Sequence, residues 1–321
     1  MQVISAWVVS FGLLGCSAAD GAESFDGEDR DVRPGQVLHA ETSPVLRPDG
    51  SVITYHVETP DDATPPYGLV LVAQGSGCRP AGVVDSFPFS ERIAPGFARL
   101  IVEKYGVDPA APPPGEDACS SKFYERDTLD QRVLDAARVI GSLRSQEWWN
   151  GELILFGGSE GGAVVAMLAG LVPETDGVVI LASGLGFTVE ETVLAAVPPL
   201  ARDGVAVELA AARRTRSTSE RFGGHSHHWW ATAEDKRPVT TLLPLDLPVL
   251  VVQGGRDTSA VPESARAGVA LLEAAGRPVT YREHPGLDHS MRDEASEDRR
   301  PEVYADIGAW VTAVLAGGGM R

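Results

Sequence analysis

The sequence predicts an α/β fold in which a mostly parallel sheet is flanked by helices on both faces. Apolar runs at residues 69–74, 153–156 and 248–253 have the composition of strands that are buried on both sides. Between them lie segments whose apolar residues recur at helical spacing, such as 129–143 and 262–272. Because strands that alternate with helices build parallel sheets, we expect a helical layer on each face.

The remaining elements continue this alternation. Residues 52–57 alternate in polarity like an edge strand, and residues 99–103 and 279–284 supply two further strands. Thr128 and Gln131 form a capping-box pattern, which predicts that a helix starts directly after Thr128.

The most specific motif is G-x-S-x-G at residues 157–161, directly after the apolar run at 153–156. In this motif a strand turns sharply into a helix and holds a serine, here Ser159, in strained backbone geometry above the sheet edge. Glycines flank the serine because side chains at those positions would collide with the neighbouring chain. The alternative is a plain Gly-Ser loop, since the pattern is short.

A serine hydroxyl is a weak nucleophile until a base removes its proton, so the motif predicts a histidine and an orienting carboxylate. Asp257 follows the 248–253 strand and therefore lies at its carboxyl end, where functional groups gather in open α/β sheets. His289 lies in the loop after the 279–284 strand, where the base is expected. The competing base is His284, which is nearer the strand than the loop tip.

The motifs at residues 74–77, 157–161, 255–257 and 288–289 together resemble those of the α/β-hydrolase superfamily. The resemblance covers roughly residues 50–316 and points to the dienelactone hydrolase and prolyl oligopeptidase-like branches of its serine hydrolases. It implies the α/β-hydrolase fold for this chain.

The resemblance also implies hydrolysis through a covalent acyl-enzyme. In that reaction Ser159 attacks, His289 shuttles the proton and Asp257 holds the imidazole, in the chain order Ser, Asp, His that is typical of the superfamily. The resemblance implies no cofactor and no metal.

An oxyanion hole made of backbone N–H groups is implied as well. One donor is the residue after the nucleophile, Glu160. Comparison with the His-Gly-x loop of lipases indicates the N–H of Ser76 as the other, with Gly77 as the alternative, although Gln74 stands where those enzymes carry His. The Glu160 side chain has two interpretations: a carboxylate favoured at a helix N-terminus, or an attractor for a cationic substrate.

Superfamily members often carry a cap before the strand that bears the acid. Residues 187–243 interrupt the alternation there and predict a small helical cap that shapes the pocket. Within it, the histidine- and tryptophan-rich run at 225–230 suggests a metal site, but no Cys or closely spaced carboxylate completes a ligand set. We therefore expect no metal, with Trp229 and Trp230 over the pocket mouth and the histidines at the surface.

The chain length and the net charge limit the number of domains and the classes of partner that are possible. A chain of 321 residues with 43% hydrophobic content can form one sizeable core, which predicts a single domain over residues 46–316. The net charge of −18 argues against binding to nucleic acid, whose phosphates require a basic face. The expected partner is a small-molecule or acyl-ester substrate, and the sequence sets no oligomeric state.

The N-terminus predicts an exported lipoprotein. Residues 1–15 contain an apolar run that is too short to span a bilayer and is typical of a signal peptide. The run ends in Leu-Leu-Gly-Cys, which resembles the lipobox of bacterial lipoproteins, with Cys16 as the lipidated residue. The acidic residues 16–45 predict a disordered tether, so we expect a membrane-anchored protein of the cell envelope, facing the periplasm or the cell surface. The alternative is an ordinary cleaved signal with a spare cysteine.

Export makes a disulfide between the other two cysteines, Cys78 and Cys119, the expected state in an oxidising compartment. The alternative is two separate buried thiols.

The leading hypothesis is an exported serine hydrolase that cleaves carboxylic esters. A second is a serine peptidase of the prolyl oligopeptidase-like type, because the Gly-Gly-Ser-x-Gly-Gly run also resembles that branch. Those enzymes usually carry a large propeller, for which this chain offers no room. A third is a non-catalytic binding protein on a hydrolase fold.

Overall fold

The computed structural model describes residues 44–61, 63–84, 87–110 and 119–318. The predicted signal peptide, the lipidation site and nearly all of the predicted tether fall within residues 1–43, outside the described part. Among the described helices, none is both long enough and apolar enough to cross a membrane.

The described strands are numbered in chain order. They are β1 (Tyr55–Glu58), β2 (Tyr67–Ala73), β3 (Ala98–Val102), β4 (Trp149–Gly158), β5 (Gly177–Leu181), β6 (Arg221–Phe222), β7 (His225–Ser226), β8 (Val249–Gly254) and β9 (Val279–His284).

One seven-stranded sheet forms the centre of the molecule, in the order β1-β3-β2-β4-β5-β8-β9. The edge strand β1 is antiparallel to β3, whereas every other pair of neighbours in this sheet is parallel. The two short strands β6 and β7 form a separate antiparallel pair. The prediction of a mostly parallel sheet is therefore confirmed.

The described α-helices surround this sheet. They are α1 (Ser121–Arg126), α2 (Leu129–Leu143), α3 (Glu160–Leu168), α4 (Val189–Ala196), α5 (Arg202–Thr215), α6 (His227–Ala233), α7 (Val239–Leu242), α8 (Pro262–Ala274) and α9 (Arg300–Gly318).

Both faces of the sheet carry a helical layer. Alternate residues of a strand point to opposite faces. In β4, Leu153 and Leu155 pack into one apolar core with residues of α2, α3 and α8. Ile154 and Phe156 pack on the other side with residues of α9. These two cores confirm the expectation of helices on both faces.

Helix α2 begins where the sequence predicts. The Thr128 hydroxyl accepts a hydrogen bond from the N–H of Gln131 at 3.1 Å, which satisfies a free donor of the first turn. The buried face of α2, with Val133 and Ile140, packs beside α3. This placement carries another residue of α2, Arg132, to the start of α3.

The segment between β5 and β8 contains α4 to α7 and the β6–β7 pair, which lie within the range predicted for a cap. Its buried residues, such as Leu209 and Trp230, belong to the same apolar core as α3. The insertion therefore packs on the α3 side of the sheet. The predicted limits of the domain, 46–316, and of the cap, 187–243, stay predictions.

Cys78 and Cys119 are joined by a disulfide. Cys78 lies in the segment after β2, and Cys119 precedes α1. Cys78 also packs with Phe123 and Tyr124 of α1 in a small apolar cluster. The bond therefore ties the segment after β2 to α1.

We expect the double variant Cys78→Ser/Cys119→Ser to lose about 4 kcal/mol of the free energy of unfolding, because the disulfide closes a loop with a sequence separation of 41 in the unfolded chain. Urea unfolding of the variant beside the wild type measures this loss. Reductant should bring the wild type to the midpoint of the variant and leave the variant unchanged. A variant as stable as the wild type would contradict the expectation.

Candidate active site

Ser159 occupies the turn between β4, which ends at Gly158, and α3, which begins at Glu160. Its φ is 53° and its ψ is −127°, a backbone conformation that residues with a side chain rarely adopt. The N–H of Ser159 donates to the carbonyl oxygen of Leu181 at 2.9 Å, at the end of β5. The chain thus makes the strained strand-turn-helix geometry expected from the G-x-S-x-G motif.

Two glycines of the motif are required by close backbone contacts. A Cβ at Gly161 would lie 2.0 Å from the carbonyl oxygen of Ala73, at the end of β2. A Cβ at Gly157 would lie 2.1 Å from the carbonyl oxygen of Gly161. By contrast, a Cβ at Gly158 would meet nothing within 4 Å. Glycine is therefore needed where the turn approaches β2, as the motif predicts.

His289 lies in the loop after β9 and reaches the serine. Its Nε2 is 3.1 Å from the Oγ of Ser159, and its Nδ1 is 2.8 Å from an Oδ of Asp257. Because a carboxylate only accepts hydrogen bonds, Nδ1 carries a proton and Nε2 is free to accept one from the hydroxyl. The structure therefore brings the predicted Ser, His and Asp side chains together in one hydrogen-bonded line.

The competing base, His284, does not make this contact. It is the last residue of β9, and no residue in the described ranges hydrogen-bonds its Nε2. Burial lowers the pKa of its imidazole below the ordinary value. The loop beyond it is shaped by Asp288, which accepts hydrogen bonds from the N–H groups of Ser290 and Arg292. This loop presents His289 to the serine.

The carboxylate of Asp257 is buried, and both of its oxygens accept hydrogen bonds. It is 3% exposed and lies just beyond the end of β8. One oxygen accepts from the N–H groups of Ser259 and Ala260, both at 2.8 Å. The other accepts from the Gln253 amide at 2.9 Å as well as from His289. Four donors therefore fix a charged acceptor against the imidazole.

Gln253 is a further residue of the site, which the sequence motifs do not indicate. Its side chain is fully buried in β8, and its Nε2 also lies 2.9 Å from the carbonyl oxygen of Ala260. The signal was a lone polar residue in an otherwise apolar strand, four positions before Asp257. Since a buried amide needs partners, its pairing with the carboxylate after the strand was open to inference.

The 74–77 loop, which follows β2, lies beside the serine. A Cβ at Gly75 would be 3.3 Å from the Cβ of Ser159 and 3.7 Å from its Oγ. The N–H groups of Gly75, Ser76 and Glu160 donate to no acceptor in the described part of the chain. The assignment of Ser76, with Gly77 as the alternative, and of Glu160 as oxyanion donors stays a prediction.

The Glu160 side chain is paired within the protein. It forms an ion pair with Arg132 of α2, and both side chains are 8% exposed. Burial raises the pKa of the Glu160 carboxyl. The charge of Arg132 outweighs this effect, with smaller contributions from His225 and Lys104, so the net pKa lies below the ordinary value. The carboxylate is therefore ionised at the start of α3 and neutralised by an internal partner.

The expectation that the insertion's histidines lie at the surface is wrong for His225. This residue is 8% exposed, and its ring stacks on Trp229 with 3.8 Å between centroids. Its Nδ1 lies 3.2 Å from an oxygen of Asp127, and its Nε2 lies 3.4 Å from an oxygen of Glu160. Burial is possible because two carboxylates and an aromatic ring replace the water around the imidazole.

His227 is also buried, with its Nδ1 2.8 Å from the hydroxyl of Thr215. Trp229 and Trp230 are 4% and 1% exposed, so they belong to the packed interior of the insertion. Among the described residues, no group of three or more His, Cys, Asp and Glu side chains is arranged to hold a metal ion.

Two further buried cations, Lys104 and Arg132, lie beside the site, and the sequence motifs do not predict them. Lys104, directly after β3, is 5% exposed, and its ammonium donates to the carbonyl oxygen of Gly75 at 2.6 Å. Burial lowers the pKa of Lys104 to about 8, with help from the charge of Arg132 and against the charge of Glu160. Arg132 hydrogen-bonds both Glu160 and the carbonyl oxygen of Gln74. Only tertiary structure places these cations, since nothing in their local sequence distinguishes them from surface charges.

No protein-family model matches the chain, and no curated protein matches it in sequence. Solved structures are similar. Est1E from Butyrivibrio proteoclasticus, solved with ferulic acid, aligns with a TM-score of 0.59 and 14% identity over 84% of this chain and 98% of that one. The thermophilic esterase Est2 from Thermogutta terrifontis aligns with a TM-score of 0.57 and 14% identity over 89% of this chain and 94% of that one.

Dipeptidyl peptidase 4 from Porphyromonas gingivalis is similar as well, with a TM-score of 0.58 and 13% identity over 88% of this chain but 36% of the peptidase. At such low identity these similarities report on the fold. Together with the sheet order and the turn at Ser159, they show that the chain has the α/β-hydrolase fold.

We expect Gly161→Ala to lower the free energy of unfolding by about 3 kcal/mol or more, because its Cβ would overlap a backbone oxygen that cannot move alone. Gly158→Ala is the matched control, since it adds the same methyl group in open space and should change stability by less than about 1 kcal/mol. Urea unfolding of both variants measures the contrast. Equal stability of the two variants would contradict the close approach at Gly161.

Proposed function

We propose that the protein is a serine hydrolase that cleaves carboxylic esters through an acyl-enzyme. The observation that carries the proposal is the hydrogen-bonded line from Ser159 through His289 to Asp257. A nucleophile, a base within reach of its proton, and a group that orients the base are the three parts that this chemistry requires.

In the proposed reaction, the Oγ of Ser159 attacks the ester carbonyl carbon while its proton passes to the Nε2 of His289. Asp257 stabilises the imidazolium that forms. Collapse of the tetrahedral intermediate breaks the bond to the leaving oxygen, which takes the proton from His289 as the alcohol departs. Water then attacks the acyl-enzyme by the same route, with His289 again as the base, and releases the acid and the free serine.

The negative charge on the carbonyl oxygen needs donors that are already in place. We assign this role to the N–H of Glu160, at the start of α3, and to an N–H of the 74–77 loop, that of Ser76 with Gly77 as the alternative. The position of Gly75 beside Ser159 adds the Gly75 N–H as a further candidate. The contact between Gly75 and Ser159 supports the assignment of the loop. The free N–H groups at the start of α3 favour an anion in the same place.

Two comparisons favour an ester substrate. The alignments to Est1E and to the Thermogutta esterase extend over 98% and 94% of those chains. The alignment to the dipeptidyl peptidase is confined to 36% of that protein. The second candidate function is peptide hydrolysis, which the same comparison with the peptidase and the same three side chains support.

We further propose that the protein is exported and anchored by a lipid at Cys16, facing the periplasm or the cell surface. The support is the sequence alone, because Cys16 and its apolar leader lie outside the described residues. The disulfide between Cys78 and Cys119 agrees with an oxidising compartment.

We expect Ser159→Ala to abolish labelling by a fluorophosphonate probe and to lower kcat for 4-nitrophenyl esters by at least about 10⁴-fold, because the covalent step loses its nucleophile. Ser183→Ala removes the hydroxyl of another buried serine, for which the described residues show no hydrogen bond to His289, so this control should still label. Wild type that neither labels nor hydrolyses would favour the non-catalytic binding hypothesis. Faster hydrolysis of aminoacyl nitroanilides than of nitrophenyl esters would favour the peptidase.

We expect the full-length chain, expressed in a bacterium, to carry a lipid on Cys16 and to fractionate with membranes. Mass spectrometry of the N-terminal peptide and sensitivity of processing to globomycin measure this. Cys16→Ser should stay unprocessed by the lipoprotein pathway and carry no lipid. A wild-type protein cleaved at another position, with Cys16 unmodified or removed, would refute the anchor.

A further inference from the structure

We propose that Lys104 and Arg132 are positioning residues for the oxyanion hole. Through the carbonyl oxygens of the 74–77 loop, they aim the loop's N–H groups at the carbonyl oxygen of the substrate. The inference rests on the proposed serine-hydrolase function and deepens it, because it names side chains that support the stabilisation of the intermediate.

Lys104 and Arg132 both donate hydrogen bonds to backbone carbonyl oxygens of the 74–77 loop. The Nζ of Lys104 donates to the carbonyl oxygen of Gly75 at 2.6 Å and also to that of Gly77. The guanidinium of Arg132 donates to the carbonyl oxygen of Gln74. Three of the four carbonyl groups of the loop are therefore held by two buried positive charges.

Because the peptide bond is planar, hydrogen bonds to these carbonyl oxygens also orient the N–H groups of the loop. In a trans peptide the C=O of one residue and the N–H of the next point in opposite directions. Holding the oxygen of Gln74 fixes the N–H of Gly75, and holding the oxygen of Gly75 fixes the N–H of Ser76. Neither N–H has an acceptor in the part of the chain that the structure describes, and Gly75 lies against Ser159.

Positive charge also strengthens the donors. A cation that binds a peptide oxygen polarises the peptide, so its N–H becomes a better donor to a developing oxyanion. Neutral donors in the same positions would fix the loop without this effect. A charged support behind the loop therefore suits a site that must stabilise a negative oxygen.

Arg132 links the two sides of the predicted oxyanion hole. It bonds the oxygen of Gln74 on the loop and the side chain of Glu160, the residue after Ser159. One guanidinium therefore contacts both sides of the predicted oxyanion hole.

The ammonium of Lys104 faces several charged groups on the elements packed around it. These are Arg132 on α2, Glu160 on α3, Asp127 before α2, and Glu103 beside it on its own strand end. Because the pKa of Lys104 is lowered to about 8 by burial, its charge is lost as the pH rises through this value. The neutral amine still donates hydrogen bonds but no longer polarises the peptides, so kcat should fall on the alkaline side.

The experiment compares Lys104→Met and Arg132→Met with the wild type on a 4-nitrophenyl ester. We expect kcat per fluorophosphonate-labelled site to fall about 10²-fold, as on loss of one oxyanion donor, while KM changes by less than about 3-fold. Inhibition by a trifluoromethyl ketone, whose adduct with Ser159 carries an oxyanion, should weaken by a similar factor.

Arg47→Met is the matched control. Arg47 is also a buried cation that bonds a carboxylate and a backbone oxygen, but its partners are Asp135 and Val52; its loss should lower stability and leave kcat per site unchanged.

Lys104→Arg keeps the charge at all accessible pH values, so it should retain most of kcat and lose the alkaline fall seen in the wild type. If the methionine variants do not fold, the pH profile of Lys104→Arg tests the inference on its own. The inference is overturned if the methionine variants keep wild-type kcat per labelled site and wild-type inhibition by the ketone. It is also overturned if kcat and KM change together in these variants, as expected of a protein that is only destabilised. A pH profile of kcat that is the same for Lys104→Arg and the wild type would overturn it as well. Wild type without activity or labelling would instead overturn the proposed function itself.

Discussion

The close contact between the turn at Ser159 and the end of β2 is the constraint on which the site depends. The serine has positive φ, and the first turn of α3 comes so near to β2 that Gly161 has no room for a side chain. The same approach brings Gly75 against the serine. One tight backbone contact therefore sets both the nucleophile and the loop that faces it, and glycine is the residue that permits it.

Several charged side chains are buried next to this turn. Arg132, Glu160, Lys104 and Asp127 are all buried there, and removing each charge from water costs on the order of several kcal/mol. Carboxylates, an imidazole and backbone oxygens offset that cost by replacing the lost water. The opposite face of the sheet, where α9 packs, has an apolar core instead. The buried ion pair of Arg132 and Glu160 therefore lies on the side of the sheet where α2 and α3 pack.

The imidazole of His225 joins the insertion between β5 and β8 to this charged region. His225 lies between Asp127 and Glu160 and stacks on Trp229, so the insertion contacts the residue that follows the nucleophile. Its apolar residues continue the core around α3. The insertion therefore forms part of the support of the site.

The sequence by itself determined the parallel α/β sheet and nominated Ser159, Asp257 and His289, because each follows a strand and the carboxyl ends of parallel strands meet at one edge. It placed His225 at the surface and passed over Lys104. The burial of a charged or titratable side chain depends on partners from distant segments, which local patterns do not encode. Tertiary structure alone decided which of the polar residues turn inward, because only there do carboxylates, backbone oxygens and cations from separate elements come close enough to replace water.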